Sequence, residues 1–78
     1  MRYDTIDGFR FEADSAARVV ARLKASSPFR ADESDADFMR GVAERCLLWS
    51  GAVIRVDDCE SFVQDLLAAG FLRVLPGP

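Results

Sequence analysis

The chain reads as a two-layer α+β domain: a four-stranded sheet with three helices on one face, in the order β-β-α-α-β-α-β. Three observations predict it. Two short alternating runs flank Asp7-Gly8 near the start. Three segments carry apolar residues at helical spacing. Two further alternating runs, 52–56 and 71–75, enclose the last of those segments.

The opening stretch, RYDTIDGFRFE at 2–12, allows two hairpins. A two-residue Asp7-Gly8 loop sets Asp4 opposite Phe11 on the face that should be apolar. A three-residue loop, Ile6-Asp7-Gly8, ends on a glycine able to take the left-handed conformation of a bulge. It pairs Thr5 with Phe9 and Tyr3 with Phe11 on one face. On the other it pairs Asp4 with Arg10 and Arg2 with Glu12. Aromatic and opposite-charge cross-strand pairs each contribute about 0.2–1 kcal/mol, so the second register is the expected one.

Asp14 and Ser15 offer an N-cap to a first helix, whose apolar stripe is Ala16, Val19, Val20 and Leu23. Arg18, Arg22 and Lys24 lie on its other side, and Ser26-Ser27-Pro28 ends it. A loop at 28–34 follows, in which Phe29 is expected to plug the core. Ser34 and Asp37 resemble a capping box for a second helix, with Phe38, Met39, Val42, Ala43, Cys46, Leu47 and Trp49 as its apolar positions and Gly51 as its stop. The run 52–56 predicts a strand, Ile54 and Val56 on one face and Val53 and Arg55 on the other. Asp57 then caps a third helix, with Glu60 completing a capping box and Cys59, Phe62, Val63, Leu66 and Leu67 pointing inward until Gly70. The last strand, 71–75, returns through a parallel, right-handed crossover. Residues 1–75 form one domain, and 76–78 a tail without structure.

The chain has 78 residues, 13 acidic against 10 basic side chains, and a net charge of −3. That balance does not recommend a nucleic-acid backbone as partner. No charged segment followed by an apolar run opens the sequence, and no apolar stretch is long enough to span a membrane, so a cytoplasmic protein is expected. Half of the residues are apolar, six of them Phe, a large apolar share for so small an interior. Self-association is the natural way to cover the excess.

Little in the sequence points to catalysis. Two cysteines without a histidine make no zinc site. The acids Asp32, Glu33, Asp35 and Asp37 fail the calcium-loop pattern, because Ala43 and Asp37 stand where Glu and Gly are required. They suit the start of a helix instead. Cys59 begins a helix, which favours a thiolate, but Asp57, Asp58 and Glu60 oppose it, and no histidine is available as a base. Both cysteines fit apolar stripes as packing residues. Phosphate-binding glycine loops are absent, and helix-turn-helix spacing fails at the eight-residue connection that contains Pro28. No cofactor, metal or small-molecule substrate is expected.

The outer face of the four-stranded sheet is the candidate site. With Phe9, Phe11, Ile54, Val56, Leu72 and Val74 turned to the helices, Arg10, Val53, Arg55, Phe71, Arg73 and Leu75 face outward. Large apolar residues mixed with arginines suit a protein interface. The expectation is a small non-enzymatic protein acting through protein contacts, as a homodimer or an accessory subunit, with Val53, Arg55, Phe71, Arg73 and Leu75 as the docking residues. The alternative is nucleic-acid binding by Arg18, Arg22 and Lys24.

Overall fold

A computed structural model describes residues 1–26 and 33–76. The elements are β1 (Arg2–Thr5), β2 (Arg10–Glu12), α1 (Ala16–Ala25), α2 (Asp35–Ser50), α3 (Cys59–Ala69) and β3 (Leu72–Val74). The α+β class holds, with a three-stranded sheet in the order β2-β1-β3 and both pairings antiparallel. Phe29 and the last two residues of the tail lie outside the described residues.

The hairpin takes the three-residue register. Arg2 lies opposite Glu12, Tyr3 opposite Phe11, and Asp4 opposite Arg10. The Gly8 N–H donates to the Thr5 carbonyl at 3.0 Å, and the Thr5 N–H donates to the Phe9 carbonyl at 2.9 Å. Gly8 sits at φ 90°, which a side chain would strain. The Tyr3 and Phe11 rings stack at 5.5 Å, and Phe9 extends the stack at 5.3 Å from Phe11.

The expected fourth strand does not form. Residues 52–56 join no ladder, and β3 runs antiparallel to β1 in place of a parallel crossover. The Arg55 N–H, which a strand partner would have taken, donates to the Asp65 carboxylate at 2.8 Å. The alternation that suggested a strand is nonetheless real: Ile54 is buried, and Val53 and Arg55 are exposed. A segment that lies on a hydrophobic surface can bury every second residue without belonging to a sheet. Periodicity therefore cannot report whether the backbone finds a partner.

β3 is also shorter than 71–75. Phe71, expected to face outward, packs against the core. Gly70 (φ 84°) ends α3 with its N–H bonded to the Leu67 carbonyl at 3.2 Å, and the Phe71 N–H reaches back to the Leu66 carbonyl at 3.0 Å. This is a Schellman motif, in which the residue after the glycine folds back against the last turn of the helix. Phe71 thus belongs to the helix stop, and the strand begins at Leu72. On the inner face Leu72 is almost wholly buried, whereas Val74 and Phe9, also expected inside, sit at its margin and remain partly exposed.

The helices start on side-chain caps. Ser15 accepts from the Arg18 N–H, Ser34 from the Asp37 N–H and Asp58 from the Ser61 N–H. The cap of α3 is therefore Asp58, not Asp57, and the box position three residues on is Ser61 instead of Glu60. Starting one residue later leaves Phe62, Val63 and Leu66 on the buried side. Val19 and Val20 of α1, Phe62 of α3 and Leu72 of β3 form the driest part of the core. Tyr3, Phe11, Phe38, Met39, Cys46 and Ile54 surround them. α1 packs against both α2 and α3, and α3 backs onto β3.

Asp4 is the one buried charged residue among those described, 5% exposed in the central strand. Arg10 flanks it in register on one side and Arg73 on the other. The Arg73 guanidinium donates to Asp4 Oδ2 at 2.5 Å, while Oδ1 has no hydrogen-bond partner. Removing Arg73 would leave a buried carboxylate without its counter-charge. Arg73→Ala is therefore expected to lower the urea unfolding free energy by about 2–3 kcal/mol. Arg2→Ala, which breaks only the exposed 3.3 Å pair with Glu12, should stay within about 0.5 kcal/mol of wild type.

Candidate functional site

The five expected docking residues do not share a face. Arg73 and Leu75 stay on the outer side of the sheet with Arg2, Arg10 and Glu12, and the Leu75 N–H extends the β1–β3 ladder to the Arg2 carbonyl at 2.9 Å. Arg73 is occupied by Asp4. Phe71 is turned inward. Arg55 grips Asp65 on α3 through both nitrogens of its fork, at 2.9 and 3.0 Å, and through its backbone N–H. This clasp ties the 52–56 segment to α3. Val53 stands apart beside the end of α2, 80% exposed.

Leu47 at the end of α2 shares a groove with Val53, and further large apolar side chains are exposed beside it in the chain. At the C-terminal end of α2, Leu47 is 52% exposed, Leu48 82% and Trp49 72%. The sequence pattern counted Leu47 and Trp49 among the apolar positions of this helix and passed over Leu48. The signal was present all the same. Three consecutive large apolar residues on a helix project about 100° apart, so no single core face can take them all. α2 buries Phe38, Met39 and Cys46, and its final turn runs out past the core.

Two concavities flank this end of α2. On one side a groove of about 200 Å³ is lined by Arg40, Ala43, Glu44 and Leu47 of the helix and by residues 52–54 and 56 of the segment that follows it. On the other a cleft of about 290 Å³ opens between Trp49, Phe38 and Val42 of α2 and Ile6 and Phe9 of the hairpin. Polar side chains at that cleft include Thr5, Asp7, Ser26 and Arg45. Leu48 stands exposed on the same helix end.

The basic residues of α1 divide. Arg18 and Arg22 are exposed, but Glu12 and Asp14 line the same shallow depression. Lys24 is drawn away, its Nζ donating to the Glu33 carbonyl at 3.0 Å and pairing with Asp35 at 2.9 Å. The resulting field is mixed, unlike the clustered positive surface that backbone phosphates require.

Both cysteines are free. Burial pushes the Cys46 thiol up, with Arg45 opposing in part. Cys59 is raised by burial first, then by the Asp35 and Asp58 carboxylates. Among the described residues no group of three or more His, Cys, Asp and Glu is placed to hold a metal ion, and no helix is long and apolar enough to cross a membrane. No protein-family model, curated protein or solved structure matches the chain.

Two outcomes follow for solution chemistry. At neutral pH, iodoacetamide should modify both thiols more slowly in the folded chain than in urea, because only the thiolate reacts. The Asp58 carboxyl is held below its usual range by the Ser61 backbone N–H, and Asp65 by the Arg55 guanidinium. A depressed folded-state carboxyl stabilises above its unfolded value and loses that contribution as pH falls through its folded value. The melting temperature should therefore drop as pH falls below about 4. Asp65→Asn should flatten that drop in a pH series of thermal melts.

Proposed function

We propose that this chain works through protein contacts and not through catalysis, as a self-associating protein or an accessory subunit. It would dock through the exposed end of α2. The observation that carries this reading is the Leu47-Leu48-Trp49 run left in water beside an exposed Val53. Isolated exposed apolar residues are ordinary, but four large ones gathered near one helix end of a small domain support an interaction surface. Trp and Leu at such a site can supply the buried anchors that dominate interface energies. The outer sheet face, where Leu75 sits with Arg2, Arg10 and Glu12, is a more polar second surface. Two free thiols are compatible with a reducing cytoplasm.

The test compares tagged wild type with a Leu48→Asp, Trp49→Asp double variant expressed in the same cells. Both altered side chains are mostly exposed, so stability should change by no more than about 0.5 kcal/mol for each. Wild type is expected to retain a stoichiometric protein, either its own untagged copy or another chain, that the variant loses. Identical recovery from both would overturn the reading.

A further inference from the structure

We infer that the free edge of β2 pairs with the same edge of a second copy of this chain, two-fold about Phe11, joining the two sheets into one. This surface is apart from the end of α2, and the pairing stands whether or not that end docks.

The ladder leaves the edge open. The Thr5 N–H donates to the Phe9 carbonyl at 2.9 Å, and the Ala13 N–H to the Met1 carbonyl at 3.0 Å. Odd-numbered residues of β2 therefore bond to β1, and the N–H and C=O groups of Arg10 and Glu12 point the other way. Among the described residues no strand lies beyond β2. Such an edge is a template for an added strand.

Charge selects the strand that can be added. β2 reads Arg10-Phe11-Glu12, with both charged residues exposed and Phe11 buried. An antiparallel copy centred on Arg10 or on Glu12 sets like charges directly opposite, which is unfavourable. Centred on Phe11, it sets each Arg10 against the other copy's Glu12. The neighbouring strands continue the pattern. The register places Glu12 opposite Arg2, and Arg10 opposite Asp4, which in turn faces Arg73. Across the joined sheet one row therefore runs Arg2 and Glu12, then Arg10, Asp4 and Arg73 of the second copy, alternating in sign at every step. The two-fold axis generates the same row in reverse. Arg10 has no ion-pair partner within the described residues and gains one. On the helix face the Tyr3–Phe11 stack, its ring centroids 5.5 Å apart, meets its own copy across the axis. Short charged edges ordinarily discourage added strands. This one is charged in a pattern that its own copy complements. The contact uses the same patch on both chains and closes as a dimer.

Sedimentation of the full chain from micromolar to millimolar concentration reads the result, and twice the chain mass is expected at the upper end. Glu12→Lys turns two attractive cross-strand pairs repulsive and should raise the dissociation constant about tenfold or more. Glu12→Pro removes an N–H that the chain's own ladder does not use. It should abolish the dimer while the far-ultraviolet circular dichroism is kept. In an equimolar mixture, Arg10→Cys and Glu12→Cys chains should cross-link faster than either does alone. The paired positions lie about 5.5 Å apart, within disulfide reach, whereas like positions are two residues out of register. The Leu48→Asp, Trp49→Asp variant should dimerise as wild type does, which separates this contact from docking through α2. A monomer up to millimolar concentration, a dimer that tolerates both Glu12 variants, or one lost in the Leu48→Asp, Trp49→Asp variant overturns the pairing.

Discussion

β1 hydrogen-bonds along both edges, to β2 across a tight turn and to β3 from the far end of the chain. Four residues therefore hold the sheet together. The first ladder is local and closes at little entropic cost. The second joins residues 69 apart, as in the Asp4–Arg73 pair, and must be driven by burial under the whole helical layer. Leu72, which lies opposite Thr5 on β1, is the residue that makes this closure favourable, because it enters the core almost completely. Asp4 next door is the specific element. A buried carboxylate that meets its arginine only when β3 is in register penalises other registers.

Filling the second edge of β1 with β3 has a consequence for the rest of the chain. The 52–56 segment finds no strand partner and is held instead by side chains, above all by the Arg55 clasp on Asp65. It lies beside α2 as one wall of a groove. α2 packs on α1, and its buried residues, Phe38, Met39 and Cys46, stop short of its last residues. A chain of 78 residues has too little surface to wrap three helices completely. The uncovered part is the end of α2, where Leu47, Leu48 and Trp49 remain in water.

Electrostatics divides the charged residues into those held in close ion pairs and those more loosely engaged. Arg55, Arg73 and Lys24 hold internal carboxylates at 2.9 Å or less. Those commitments remove them from the docking and nucleic-acid surfaces in which the linear pattern placed them. Arg40 and Glu44, which no linear pattern singled out, border the groove beside α2 instead.

Local chemistry was legible in the sequence. The hairpin register followed from cross-strand pairing. The starts of α1 and α2 followed from Ser15 and Ser34, and the ends of α2 and α3 from Gly51 and Gly70. Those features depend on residues within a few positions of one another. The sequence alone did not determine which extended run would occupy the free edge of β1, because 52–56 and 71–75 alternate equally well and hydrogen-bonding partners distant in sequence leave no trace in alternation. That competition was decided by tertiary packing. It turned Phe71 inward through the Schellman motif, assigned Arg55 to Asp65, and dispersed the expected docking face. The apolar end of α2 was left exposed for the same reason: burial belongs to the packed assembly of elements, and no single helix records how far its neighbours reach.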